Sequence, residues 1–434
     1  MPQTRARALV ATVVAALTAT TLAPASLAQT AAVPGMHTTA VATAQSAVTA
    51  ASGTNADNRI HTKLGKRVTV ARFGKQFSGV VMDASANRIV WSKNLRKTLM
   101  PASTTKLVTA FNALTVFGPD TRFVTRVRRG PRVNQVTIQG FGDPSLTSAD
   151  VDLLASATAA YLKARGVTMA HVYADDDVFP TPSLAVGWKA SYVPDSIAPV
   201  RALVRDQRNT PDTTRDAALY FRARLKAHGI ARVTYDGRRD VARDATTVAT
   251  VRGDALSDIV SRMLLHSDNE IAETLHKLVG RQQGVGTSWS RARTAQSRVL
   301  TRKGLAVGAL YDGSGLSRSD RMSSLQLARV VMRGVNPRAT NLAVMRQAAA
   351  IPTAGQTGTL AAKYGRFTTR QSRCAAGKVW AKTGSLSDVV ALAGFTVGAD
   401  GRLKVFAFLV NGKDSTLKLK QQLDMLAATV KGCY

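Results

Sequence analysis

Pro101-Ala102-Ser103-Thr104-Thr105-Lys106-Leu107 is the stretch on which the reading of this 434-residue chain turns. Proline fits the first turn of a helix and not its interior, so a helix can begin just after residue 101. From Ser103 onward Leu107, Ala110, Phe111 and Leu114 recur at helical spacing, until Gly118-Pro119 ends the run. The serine and the lysine are therefore one turn apart on one helix face. A serine hydroxyl needs a base to become a useful nucleophile, and an amine three residues on can reach it. Ser-x-x-Lys alone is common on exposed helices, so its meaning depends on what else the chain brings to it.

Two further strings supply that context. Ser267-Asp268-Asn269 follows an amphipathic run over 255–266 and opens a second helical run over 269–279. Lys382-Thr383-Gly384 closes a β-favouring stretch over 379–383, with similar stretches at 389–397 and 403–410. A hairpin is expected from 77–82 and 88–91, and a closing helix over 415–430. Ser-x-x-Lys, Ser-Asp-Asn and Lys-Thr-Gly in this order form the motif set of a serine acyl-transfer site.

The residue types suit that chemistry. Lys106 can act as base only if its neutral form is accessible, which burial and a second cation favour; Lys382 would be that cation. Backbone N–H groups around Ser103 can hold an oxyanion. Ser267 and Asn269 alternate about Asp268, so both can face a cleft while Asp268 turns away. Ser267 would pass the proton between Lys106 and the leaving amine, and Asn269 would bond the substrate's backbone amide. Lys382 and Thr383 would hold a terminal carboxylate. Gly384 would leave room for a peptide along the strand, and the Ser385 N–H would complete the oxyanion hole.

Residues 1–28 read as an export signal: Arg5 and Arg7, an apolar run over 9–23, and a small-x-small site at Ser26-Leu27-Ala28. A retained N-terminal anchor is the alternative. Residues 29–58, rich in Ala, Thr and Ser, read as a disordered leader. A catalytic domain is expected over 59–120 and 250–434, interrupted by an inserted domain over 121–249 with short strands and two helices. Lys and Arg outnumber Asp and Glu by 59 to 27, a net +32. In an exported protein that charge fits anionic cell-wall polymers, or a solvated basic surface with no dedicated partner. No nucleic-acid module is visible. Cys374 and Cys433 are the only cysteines, an isolated pair that suggests one disulfide in an oxidising compartment; two free thiols is the other reading. The six histidines lack any ligand spacing, so neither metal nor cofactor is expected.

With these motifs the chain resembles the penicillin-binding protein 4-type D-alanyl-D-alanine carboxypeptidases and endopeptidases, the class C low-molecular-mass penicillin-binding proteins. The likeness also covers Gly118-Pro119-Asp120, Gly142-Asp143-Pro144-Ser145-Leu146, Asp176-Asp177 with Phe179, Asp312-Gly313-Ser314-Gly315-Leu316-Ser317-Arg318 and Gly358-Thr359-Leu360. The resemblance implies an α/β (α+β) transpeptidase fold shared with β-lactamases, an antiparallel sheet covered by helices, with a smaller α/β insert. It implies a Ser103 acyl-enzyme formed on peptidoglycan stem peptides, and β-lactam antibiotics as covalent inhibitors. It also implies that Arg318 binds the side-chain carboxylate of a diaminopimelate stem; a structural ion pair is the competing reading of that residue. Two departures stand out. The insert is shorter than in the best-known members, the loss falling near residues 201–216. Gly187-Trp188 is followed by Lys189-Ala190-Ser191-Tyr192, with the first acid only at Asp195.

Two rival enzyme classes differ from this chain at named residues. A class A β-lactamase needs a glutamate on a loop between the second and third motifs. The only glutamates here, Glu270 and Glu273, both lie on the helical run that begins at the second motif. Class C β-lactamases carry Tyr where this chain has Ser267. The alternative from another class is a cationic cell-wall-binding protein with weak or vestigial activity.

Overall fold

The computed structural model describes residues 53–305 and 308–434; the expected signal over 1–28 and most of the leader lie outside them. The described chain opens with helix α1 (Asn55–Arg67) and the short α2 (Val70–Phe73). The hairpin β1 (Phe77–Asp83) and β2 (Arg88–Lys93), the short β3 (Thr98–Leu99) and α3 (Lys106–Phe117) follow. Next come β4 (Arg122–Arg129), β5 (Gln135–Gly140), α4 (Ser148–Lys163), β6 (Met169–Asp175), α5 (Thr213–Ala227), β7 (Arg232–Arg238) and β8 (Thr247–Ala255). The remainder comprises α6 (Leu256–His266), α7 (Asn269–Gln282), α8 (Trp289–Arg302), β9 (Met322–Ser323) and α9 (Ser324–Gly334). It closes with β10 (Val379–Leu386), β11 (Val389–Val397), β12 (Leu403–Asn411) and α10 (Leu417–Lys431).

The leader was expected to run disordered to residue 58, but helix α1 already begins at Asn55. Thr54 caps α1 in a reciprocal box: its hydroxyl accepts from Asp57 N–H, and the Asp57 carboxylate accepts from Thr54 N–H. Asp57 is further held by Lys404 and Arg88. Long-range ion pairs thus order a segment whose composition alone gives no sign of structure.

Five strands form a wholly antiparallel sheet in the order β10-β11-β12-β1-β2. Its central strands are buried on both faces and read as continuous apolar runs. Alternate residues divide between two cores. Val80, Met82, Ala391, Ala393, Val405, Ala407 and Leu409 face one. Val81, Val390, Leu392, Phe406, Phe408 and Val410 face the other. Helix α9 covers the first face and α10 the second. Every residue of α3 from Lys106 to Leu114 is buried, and the helix packs against α6, α7, α8 and α9. Such all-round burial marks the centre of a large core.

The second sheet is mixed, in the order β7-β6-β5-β4-β8, with β5-β6 and β6-β7 parallel. It has its own core of Val127, Val136, Ile138, Leu154, Val172 and Phe221. Strand β8 pairs with β4 as far as Ala255 opposite Arg122, past the limit of 249 expected for the insert. Cys374 and Cys433 are bonded, tying the approach to β10 to the end of α10. Among the described residues no helix is long and apolar enough to cross a membrane.

Candidate active site

The Pro101-to-Lys106 segment starts with a tight 3-10 turn over Ala102–Thr105, and the α-helix proper begins at Lys106. Ala102 adopts a left-handed conformation (φ 47°), unusual for a residue with a side chain. The turn sits in a socket made by glycines. A Cβ on Gly315 would lie 2.0 Å from the Ala102 carbonyl oxygen, and one on Gly384 would lie 2.7 Å from that of Pro101. Gly384 therefore lets the serine-bearing turn press onto β10. That corrects the expectation that its missing side chain makes room for a peptide.

Lys106 is fully buried and its amine has three neighbours. Nζ lies 3.1 Å from Ser103 Oγ, 2.7 Å from Asn269 Oδ1 and 2.8 Å from the Ser314 carbonyl. The Asn269 side-chain N–H donates to the Ser196 carbonyl (2.9 Å), which fixes the amide with its oxygen toward Lys106. Two of the three neighbours are thus pure acceptors. They take both N–H bonds of a neutral amine and leave its lone pair aimed at the serine hydroxyl. Burial pushes Lys106 down to about 8, against the upward pull of Glu273, Asp312 and Asp268.

Asn269 reaches this position because the chain turns sharply before it. Ser267 is left-handed (φ 61°) at the end of α6, and Asp268 caps α7 by accepting from Ile271 N–H at 2.9 Å. Ser267 then lines the cleft with Ser103, while Asp268 is spent on the cap. Asn269, expected to face the cleft beside Ser267, is not among the residues that line it and has a different task. Its oxygen grips Lys106 and its nitrogen grips the loop at Ser196, rather than standing free for a substrate amide.

The Ser314 carbonyl is delivered by a loop with a buried acidic spine that sequence reasoning missed. Glu273, one helical turn beyond Asn269, accepts from the N–H groups of Gly313 (2.9 Å) and Ser314 (2.7 Å). Asp312 accepts from Gly315 N–H (2.8 Å), Ser317 N–H (2.7 Å) and the Trp188 indole (2.7 Å). Burial, then Asp312, raises Glu273 to about 8. The four-residue spacing from Asn269 to Glu273 was the available signal, since it places both on one face of α7.

Strand β10 is the edge of its sheet. Ala381 N–H donates to the Pro352 carbonyl, and Val379 C=O accepts from Ala354 N–H, both on the outer edge. The two-residue alternation of an antiparallel strand therefore turns the backbone groups of Thr383 and Ser385 to that same edge. Lys382 shares the strand face of Gly384 and is fully buried. Its Nζ donates to the Thr383 carbonyl at 3.0 Å. Burial and then the neighbouring Lys106 hold its pKa far below the usual lysine value. Lys382 was expected to hold a substrate carboxylate together with Thr383. Thr383 and Ser385 line the cleft, and Lys382 backs them from beneath.

Ser103, Ser267, Thr383 and Ser385 line one cavity of about 490 Å³, together with Thr359, Tyr364, Arg366, Leu417 and Lys420. None of these last five was singled out from the sequence as a site residue. Arg318 stands apart: its Nη2 donates to both carboxylate oxygens of Asp388, at 2.8 and 2.9 Å. The ion pair is partly exposed, not buried, and it engages only Nη2, leaving Nη1 without a hydrogen-bond partner.

The model of the D-Ala-D-Ala carboxypeptidase 3 (S13) family matches residues 60–210 and 192–430. A carboxypeptidase of Mycolicibacterium smegmatis is 29% identical over 375 residues, 82% of this chain and 80% of the relative. A carboxypeptidase of Mycobacterium tuberculosis is 31% identical over 358 residues, 77% and 76% of the two chains. In fold the chain is similar to the crystal structure of penicillin-binding protein 4 from Haemophilus influenzae. That match has a TM-score of 0.69 at 20% identity, over 86% of this chain and 98% of the other. A serine held against a buried lysine, on a fold similar to that of penicillin-binding protein 4, defines a class of serine-type peptidases. Within it, the chain belongs to the D-Ala-D-Ala carboxypeptidase 3 (S13) family and is of the penicillin-binding protein 4 type.

Proposed function

We propose that the protein is exported and cleaves the D-Ala-D-Ala bond of peptidoglycan stem peptides through an acyl-enzyme on Ser103. The carrying observation is the Lys106 amine, whose two N–H bonds are absorbed by Asn269 and Ser314 while its lone pair faces Ser103. Lys106 takes the Ser103 proton as Oγ attacks the carbonyl of the penultimate D-Ala. The N–H groups of Ser103 and Ser385 hold the oxyanion, and the C–N bond breaks as Ser267 relays the proton to the departing amine. Water then hydrolyses the ester with Lys106 again as base. Thr383 and Ser385 take the carboxylate of the leaving residue, with the buried Lys382 bracing the Thr383 carbonyl behind them. The same sequence on a cross-linked stem makes the enzyme an endopeptidase, and β-lactams mimic the scissile amide and stay on Ser103.

Residues 121–249 are read as an insert into the catalytic domain, and the mature chain is placed in the cell-wall space or periplasm. The reading of a vestigial cationic wall binder finds less support, because the Lys106 amine is in hydrogen-bond reach of the Ser103 hydroxyl and of the two acceptors that orient it. Incubation with a fluorescent penicillin tests the proposal. Covalent labelling of the wild type and none of Ser103→Ala is expected; unlabelled, folded wild type would overturn it.

A further inference from the structure

The catalytic cavity extends well beyond the serine. Released alanine is small, yet the cleft has the volume of a site for a much larger ligand. Thr359 and Thr383 join through their hydroxyls at 2.8 Å, which continues the leaving-group side of the cleft from β10 toward Tyr364, Arg366, Leu417 and Lys420. That outer wall is built rather than loose. Asp424 on α10 accepts from Arg366 Nε (2.9 Å), from a second guanidinium nitrogen and from Phe367 N–H (3.0 Å). Gln421 donates to the Gly365 carbonyl at 2.8 Å. The turn bearing Tyr364 is therefore fastened to the same helix that bears Lys420.

The charges on this wall do not balance. Arg366 is neutralised by Asp424 in a buried pair. Lys420 has no carboxylate partner among the described residues. Burial and then the Arg366 guanidinium disfavour its ammonium, and an anion beside it would offset that like-charge repulsion. Tyr364 is 54% exposed and Leu417 48%, an apolar flank on either side of that cation. A cation between exposed apolar groups, on a fixed wall, suits a peptide that carries a carboxylate.

We propose that Lys420, flanked by Tyr364 and Leu417, forms a subsite for an anionic peptide leaving group, namely the second stem of a cross-linked pair. The inference rests on the acyl-enzyme reading above and names the substrate class that the site prefers. In this cleavage the Ser103 Oγ–C bond forms and the amide C–N bond to the second stem breaks. The serine proton passes to the freed amine, and water later releases the D-Ala carboxylate and restores the hydroxyl. Lys420 takes no part in these bond changes; it is a positioning residue for the leaving strand.

The test compares Lys420→Gln and Lys420→Arg with wild type on two substrates, a cross-linked stem dimer and a monomeric pentapeptide. For Lys420→Gln, KM on the dimer is expected to rise by about tenfold with kcat little changed, as for a lost hydrogen bond to a charged group. The rise in KM on the pentapeptide should be several-fold smaller than on the dimer, and Lys420→Arg should restore the dimer KM. An unchanged dimer KM, an equal loss on both substrates, or a wild type that leaves dimers intact would overturn the subsite. Penicillin labelling of the same samples separates the two readings. Labelled enzyme with any of those outcomes sinks only the subsite, and unlabelled wild type sinks the acyl-enzyme with it.

Discussion

Lys106 and Lys404 are both fully buried lysines, and the fold treats them in opposite ways. Lys404 donates to Asp57 (2.7 Å), Asp83 (2.9 Å) and Asp400 (2.9 Å). Those three carboxylates overcome the burial of the ammonium and raise its pKa. Lys106 meets a hydroxyl, an amide oxygen and a peptide carbonyl, none of them charged, and burial lowers it to about 8. Depth alone therefore does not decide what a buried lysine is. Carboxylate partners make a fixed cation that ties α1 to β1 and β12, and neutral acceptors make an amine that can give up its proton.

The contrast can be broken most severely at Lys106. Lys106→Met should cut the acylation rate of Ser103 by roughly 10³-fold, the scale of a lost general base, with an unchanged circular dichroism spectrum. Stopped-flow acylation by a fluorescent penicillin measures this, and near-normal rates would remove Lys106 as the base. Lys404→Met should do the reverse. Stranding buried carboxylates should cost about 3–5 kcal/mol in urea unfolding, while the folded fraction acylates normally.

A smaller and more graded difference is expected in pH dependence. The active form of Lys106 is the neutral one, so acylation should climb as pH rises through about 8 and then level off. The Lys404 cluster should respond at the extremes instead. Burial alone would raise the pKa of Asp57 and Asp400, yet bonds to Lys404 and their other donors leave both below the usual carboxylate value. Their contribution to stability is complete above that usual value and is lost as pH falls through the lowered one. Lys404 has a raised pKa, so its share is complete below the ordinary lysine value and is lost as pH rises through the raised one. Unfolding free energies across the pH range check both limbs. A stability loss centred near pH 8 without an acylation change would contradict the assignment.

Much of the site could be read from the chain because its parts are short and local. Ser103 and Lys106 share a turn, Ser267 to Asn269 form a helix junction, and Lys382 to Ser385 lie on one strand. Their spacing reports direction as well as identity. What escaped was long-range. Glu273 lies four residues beyond Asn269, but its partners are N–H groups at Gly313 and Ser314, which no side-chain pattern announces. The wall bearing Tyr364 and Lys420 depends on how α10 packs against the segment before β10. The pairing of Arg318 with Asp388 likewise joins residues far apart in the chain.

Taken by itself, the sequence determined which chemical groups are present, which local elements carry them, and that the two cysteines could pair. Tertiary structure alone decided their states. Whether an amine is a base or a fixed cation depends on the charge and hydrogen-bonding character of atoms within about 3 Å, in a medium that screens poorly. Those atoms come from segments that only folding brings together.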